Sequence, residues 1–572
     1  MKASFSLRSR TEALDRPTES CFRKLGLCVL IASPALLGPR AFSAPATWSM
    51  TSLEQAVQPM QHQLDGFMQI LPYSLPIPSN DEAVALQKQG TLSAYVAALA
   101  ARGIALPVRM YDEQDTAAGA VATAQTIQAA GLPIHVWSSL HGASAGAPAG
   151  FGHDPATAFW PLNGEPDVWA KDGNGNYWPA FPLASPAVGY ALMKSNLLVL
   201  ADAGITAIAG LWTDYEDFPV YWADMKASVN QRTYFSRYYL DAYAAGNGSV
   251  AGYGRSLLTN DTMNQSNPMW RYSYDLRYSL LKESARRALT DVYGNAPLYG
   301  NYGAYYSTAS TPFNTDGNDF HPPSPPPEAG IVAMPVAYAD TFYLANDFTA
   351  RNPAHVPVNQ TTVDDVYWYN MLTQISSSQA NDGAVGKSIP WVSCYVPDNT
   401  SPAWVSRKMS ISVYKELLRH IWLRGASGMY VFNATPPYRT PQESFNDLAY
   451  ASSVLDEMLA FRTFLTNGAP MNYSVNSSLY SGGVEWSGMS NSRTNPTQWV
   501  VRTVSRTGSD SVVPEISPEP GLTFHNVPAP AAGATFILNA NGSMYRVDPL
   551  RASGVRRRTA QRKFHGTENF QR

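Results

Sequence analysis

The chain has 572 residues, 45% of them hydrophobic and 15% charged, with a formal net charge of −3. That length can bury a large core and suggests more than one domain, and so small a net charge excludes a global field that draws the chain to nucleic acid. The 32 Tyr, 14 Trp and 21 Phe suit a carbohydrate partner, whose C–H faces stack on rings, although most aromatics in a chain this size simply fill its core.

Residues 1–46 read as an export signal. Basic "FRKLG" precedes apolar "LCVLIASPALLG", which is too short to span a bilayer, and "APA" at 44–46 offers a cleavage site before Thr47. Cys28 stands before most of the apolar run, which argues against a lipid anchor. Cleavage leaves Cys394 as the single cysteine, so no intramolecular disulfide is possible. A long exported chain without disulfides predicts a secreted or periplasmic bacterial protein with no integral membrane segment in its mature form.

From about residue 64 to 466, apolar runs alternate with helical patterns. The expected strands are "GFMQILPYS", "ALPVRMYDE", "PIHVWSSL", "ITAIAGLWTDYE", "PLYGNYGAYY", "IVAMPVAYAD", "IPWVSCYVPD" and "GMYVFN". Helical stretches between them include "AGAVATAQTIQAAG", "VGYALMKSNLLVLADAG", "SYDLRYSLLKESARRALTDVYG" and "SISVYKELLRHIWLRGA". Ser444 with Asp447 has capping-box spacing and predicts the start of a last helix running to about Phe464. Eight strands alternating with helices predict parallel pairing, most simply an α/β fold of the (β/α)8 TIM-barrel type over residues 47–467; a doubly wound open sheet is the rival. In either fold, active residues belong at the C-terminal ends of the strands.

Long loops follow two of those ends. The segment after strand three carries Trp160, Trp169 and Trp178, and "HPPSPPPEAG" lies beyond strand five. Such loops wall a cleft or pack as lids. From 468 to 550, short alternating runs ("MNYSVNSS", "GGVEWSGM", "TQWVVRTVS", "GATFILNA") predict a small C-terminal β-sandwich. The basic tail 551–572 lacks apolar period and is expected to be disordered.

The chemistry concentrates in "GLWTDYEDFP" at the end of strand four. Alternate side chains on a strand share a face, so Asp214 and Glu216 go together, roughly 6.6 Å apart in rise, with Trp212 one step deeper as a pocket floor. Paired carboxyls in a partly dry pocket titrate apart, which leaves Glu216 as the proton donor to a departing glycosidic oxygen. The competing reading is a solvated strand end that holds a loop cation. Strand seven contains no Glu, only Asp398 just past its end, which counts against a conventional pair of catalytic glutamates. The other expected substrate contacts are Trp137, Tyr302, Trp160, Trp178, Asp112 and Asp398.

"DYEDF" resembles the Asp-Trp-Glu-Glu-Trp run of hyaluronidases, "MPVAYAD" resembles the chitinase Met-x-Tyr-Asp pattern, and "RGASGMYVF" resembles the hyaluronidase approach to strand eight. That resemblance implies retaining, substrate-assisted hydrolysis. Glu216 is then the acid, Asp214 orients a 2-acetamido group whose oxygen attacks C1, and Tyr338 donates a hydrogen bond to that group. Trp212 stands where chitinases carry a further Asp, and one extra residue separates Tyr338 from Asp340. "GLWTDYED" is also similar to the strand-four run of α-glucosidase and α-galactosidase barrels. That resemblance implies Asp214 as nucleophile, with a later acid such as Asp340 as proton donor.

Other patterns carry less. "GASAG" at 142–146 has G-x-S-x-G form, but no helix pattern follows it. His135, His141 and His153 lack zinc spacing, and "DGNGN" at 172–176 suits a turn. No metal or other cofactor is expected. A non-catalytic carbohydrate-binding barrel is the alternative outside enzymology.

Overall fold

The computed structural model describes residues 50–74, 77–110, 117–139, 186–214, 282, 284–303, 329–338, 360–382, 387–394, 408–433, 440–476 and 483–547. All eight expected strands contribute: β1 (Leu71–Pro72), β2 (Val108–Arg109), β3 (His135–Ser139), β4 (Gly210–Asp214), β5 (Leu298–Asn301), β6 (Ile331–Ala333) with β7 (Val336–Tyr338), β8 (Lys387–Ser388) with β9 (Trp391–Ser393), and β10 (Tyr430–Val431). The expected strand 331–340 is interrupted at Pro335, and β8 lies just ahead of the expected strand 389–398, separated from β9 by Ile389 and Pro390; a proline cannot donate to a ladder. Pro335 and Pro390 still accept, from the amides of Trp391 and Tyr430.

Every pairing among these strands is parallel. One sheet has the order β2-β3-β4-β5-β6-β8 and the other β1-β10-β9-β7. The prolines mark where one sheet hands over to the next. At the other side, Ile70 forms an isolated parallel bridge with Ile104, just before β2. Helices alternate with the strands, among them Asn80–Lys88, Leu92–Ala100, Ala117–Ala129, Pro186–Asp202, residues 284–293, Gln360–Asp382 and Ile411–Trp422. No helix of the described residues is long and apolar enough to cross a membrane.

Strand alternation divides the apolar residues into two layers. Ile70, Val108, Val136, Leu211, Tyr299, Val392 and Val431 pack with helix residues such as Leu99, Ile127, Leu197 and Leu417. Their neighbours Leu71, Trp137, Trp212, Val332, Trp391 and Tyr430 form a second cluster built from strands and their flanks alone. In it the Trp137 ring lies 5.6 Å from Trp391 and 5.2 Å from Tyr430. Strand β3 is not hydrogen-bonded to β9 or β10, so the two parallel sheets face one another across this aromatic interior.

The last long helix differs from expectation. It runs Pro441–Leu459, and its capping box is Thr440 with Glu443. Thr440 is followed by a proline, whose missing N–H costs nothing at the first helical position. Ser444 and Asp447 are therefore buried one turn inside the helix. Asp447 instead accepts from Ser393 Oγ at 3.1 Å and from the Cys394 amide at 3.2 Å.

Beyond the short helix Arg462–Asn467, the chain forms antiparallel sheets. One has the order β11 (Val484–Ser490), β12 (Gln498–Ser505), β15 (Ala534–Asn539), β16 (Met544–Val547). The other is the hairpin β13 (Ser511–Glu519) with β14 (Leu522–Ala529). Trp499, Val501, Phe536 and Leu538 from the first pack with Val513, Ile516, Phe524 and Val527 from the second. Residues 471–476 of the expected strand "MNYSVNSS" are not strand.

Candidate active site

Because the pairings are parallel, the C-terminal ends of β1–β10 share one rim, and the two best-placed candidates lie there. Asp214 is the last residue of β4 and pairs with Ser139 of β3. Tyr338 is the last residue of β7 and pairs with Ser393 of β9. Glu216, Asp340, Asp112, Asp398, Trp160 and Trp178 lie outside the described residues, as do the signal segment, the loop after β3, residues 321–328 of the segment "HPPSPPPEAG" and the basic tail.

The three described aromatic candidates are buried. Trp212 is 0% exposed, Trp137 2% and Tyr302 6%. Trp137 and Trp212 are packed floor, one layer beneath Ser139 and Asp214 at the ends of their strands, whereas Tyr302 is the residue just past the end of β5, its amide donating to the Thr213 carbonyl. Tyr302 meets Trp391 edge-on, with centroids 4.7 Å apart and planes at 82°. Trp391 stacks on Tyr430 at 4.0 Å and 8°. Such contacts hold large rings in one geometry.

Under Trp212 lies His135. The Trp212 indole N–H donates to His135 Nδ1 at 3.2 Å, so the neutral ring carries its proton on Nε2. Burial pushes the His135 pKa down to about 4. Among the described residues, no group of three or more His, Cys, Asp or Glu side chains is suited to holding a metal ion. Cys394 is free and buried.

Several rim residues went unremarked in the sequence. Asn433, just past β10, accepts from the amides of Tyr73 and Ser74, each at 3.0 Å. Arg109 of β2 donates to the Tyr73 carbonyl at 2.6 Å. These bonds tie the ends of β1, β2 and β10 together. Tyr73 and Phe432, half-buried, lie 5.0 Å apart and extend the aromatic floor to that side. The available signal was the first polar residue after each apolar run: "YS", "VR" and "FN". At the β4–β5 side, Thr213, Tyr299 and Asn301 are buried on the helix-facing side of the strands and hydrogen-bonded to one another. They too were absent from the expected set.

No family model matches the chain, and no curated protein matches it. Among solved structures it is similar to a β-galactosidase from the Antarctic haloarchaeon Halorubrum lacusprofundi, at 12% identity and a TM-score of 0.37, over 70% of this chain and 59% of that one. It thus spans under two thirds of that enzyme's own length. It is also similar to a putative α-galactosidase from Bacteroides fragilis, at 9% identity and a TM-score of 0.34, over 82% of this chain and 76% of that one. Bee venom hyaluronidase, in complex with a hyaluronic acid tetramer, gives 14% identity and a TM-score of 0.24, over 52% of this chain and 80% of that one.

Proposed function

We propose that the chain is an exported glycoside hydrolase acting on a poly- or oligosaccharide. Its catalytic part is a closed (β/α)8 barrel over residues 47–467, followed by a β-sandwich over 468–550. The observation that carries this reading is the place of Asp214: last residue of β4, on the rim, two positions on from fully buried Trp212. Continued alternation aims Asp214 and Glu216 into the mouth above the aromatic floor. Glu216 is the general acid and base. Asp214 orients a 2-acetamido group whose oxygen attacks C1 with retention, and Tyr338 and Asp340 complete the pocket from the end of β7. The parallel pairings, the Ile70–Ile104 bridge and the facing aromatic rings support the closed barrel.

A second mechanism makes Asp214 the nucleophile, with Asp340 as acid. The antiparallel sheets after the parallel part favour it, because α-galactosidase-type barrels carry such a C-terminal unit. The test incubates wild type, Asp214→Asn and Glu216→Gln with chitin oligomers, hyaluronan, galactans and glucans, and counts new reducing ends. Wild type releases them and both variants lose at least about a hundredfold in kcat, the scale of a lost acid–base group. Binding without any release supports a carbohydrate-binding protein, and full turnover by both variants removes this site. A thiazoline inhibitor stops the substrate-assisted enzyme, whereas a fluorosugar ester trapped on Asp214 identifies the nucleophile mechanism.

A further inference from the structure

The helix-facing side of a barrel strand is ordinarily apolar, and Leu211 of β4 follows that rule. Thr213, the next residue on that side, does not. It is fully buried, beside Tyr299 and Asn301 of β5, which are also buried. Their hydrogen bonds run in one direction. Thr213 Oγ1 donates to Asn301 Oδ1 at 2.8 Å. That uses its only proton, so the Tyr299 hydroxyl donates to Thr213 Oγ1 at 3.0 Å. Asn301 Nδ2 then donates to the Tyr302 carbonyl at 2.9 Å. The Tyr302 amide closes the loop by donating to the Thr213 carbonyl at 2.8 Å.

Stability does not demand this arrangement. Replacing mutually bonded buried polar groups by apolar ones of the same shape is commonly near neutral. What the chain of bonds supplies is register. It fixes the peptide from which Asp214 departs, and it shapes the start of the turn at Gly303, whose φ is +71°. The same turn sends Tyr302 inward onto Trp391. A one-way chain of hydrogen bonds in a low-dielectric layer also strengthens cooperatively.

We propose that Thr213, Tyr299 and Asn301 are positioning residues that lock the end of β4, and with it Asp214, against the turn carrying Tyr302. The proposal rests on the reading of Asp214 as an active-site acid, and its test separates the two. Thr213→Val keeps the shape and removes the hydroxyl, Thr213→Ser keeps the hydroxyl, and Tyr299→Phe removes only the first donor. Amide hydrogen exchange is followed in peptides spanning 210–214 and 299–303, alongside kcat and KM on whichever polysaccharide wild type cleaves.

Thr213→Val exchanges at least about threefold faster in those two peptides and not elsewhere. Its kcat falls by at least about tenfold with KM within about threefold, because a small misplacement of a reacting group is felt in the chemical step. Thr213→Ser restores both toward wild type, and Tyr299→Phe moves them in the same direction by less. Wild-type exchange together with wild-type kcat in Thr213→Val and Tyr299→Phe overturns the proposal and leaves the hydrolase reading standing. A wild type that cleaves nothing removes the hydrolase reading. Exchange then decides the lock by itself: local acceleration in Thr213→Val upholds it, and unchanged exchange overturns it.

Discussion

Acid should loosen this protein through one histidine beneath the proposed site. His135 is fully buried, its Nδ1 accepts the Trp212 indole N–H, and burial lowers its pKa from 6.5 to about 4. Protonation puts a hydrogen on Nδ1, so two donors face each other and the bond is lost. The unfolded chain takes up that proton near pH 6.5 and the folded chain only near 4. Between those values the unfolded state therefore binds more protons, and stability falls as pH falls. The slope is ~1.4 kcal/mol per pH unit, so the whole window removes roughly 3 kcal/mol. Below pH 4 and above 6.5 this residue contributes no further slope. Asn in place of His135 keeps an acceptor near the Nδ1 position and cannot charge. The measurement is the urea unfolding free energy of wild type and His135→Asn at half-unit steps from pH 3.5 to 7.5. The difference between the two curves isolates this group from the other carboxylates and histidines. It should change by roughly 3 kcal/mol across the window and be flat on either side. A difference that stays constant from pH 7 to 4 refutes the reasoning.

Glu416 joins the helix Ile411–Trp422 to the C-terminal sheet. It accepts from Arg502 Nε and Nη2 at 2.6 Å each and from Arg419 at 2.9 Å. Burial pushes the Glu416 pKa up, but Arg502 and the other partners outweigh it and hold the carboxyl well below the usual range. Glu416→Gln should cost roughly 3–5 kcal/mol in urea unfolding, and Glu416→Leu with Arg502→Leu much less, because the unpaired buried charge is the main penalty. Gly468→Ala should destabilise the junction between the helical and antiparallel parts by several kcal/mol, since a Cβ there meets the Ser490 carbonyl oxygen at 1.7 Å and that of Phe464 at 2.5 Å, both backbone; a thermal midpoint within 1 °C of wild type contradicts this. Thr440→Ala removes one half of the observed capping box and should lower stability by about 1 kcal/mol in the same assay.

The strand positions were legible because each is a short apolar run ending in polar residues. The breaks at Pro335 and Pro390 were not read, because the apolar pattern runs through both prolines. The start of the 441–459 helix was misplaced because two S/T-x-x-D/E spacings, 440–443 and 444–447, stand back to back; only Thr440 is followed by a proline, suited to the first helical position. The β13–β14 hairpin hid behind Pro514, Pro518 and Pro528, since proline inside a run argues against a strand. A two-stranded sheet has an unpaired side where the missing N–H is tolerated. Asp214, at the end of β4, stood out as charge after an apolar run. The Thr213–Tyr299–Asn301 chain could not, because its members are far apart in sequence and each alone looks like an ordinary strand residue.

The C-terminal sheet is better understood as part of the scaffold than as an appended module. Along β12, Trp499 and Val501 pack into the cluster shared with the hairpin, while Val500 and Val504 pack with the helix layer of the parallel part. Arg502, on that second side, reaches Glu416 of the 411–422 helix. The same helix continues the match one and two turns on. His420 Nδ1 lies 2.9 Å from Ser487 Oγ, and Arg424, just past the helix end, bonds to Glu485 and Ser487 at 2.8 Å each. Residues 416, 420 and 424 thus form a polar stripe at helical spacing, buried only because the sheet supplies complementary partners. A chain cut after the 462–467 helix would expose that stripe together with the apolar residues beside it. Both faces of β12 are occupied by packing within the chain, so the two parts stabilise each other, and the rim that carries Asp214 rests on helices which this sheet helps hold in place.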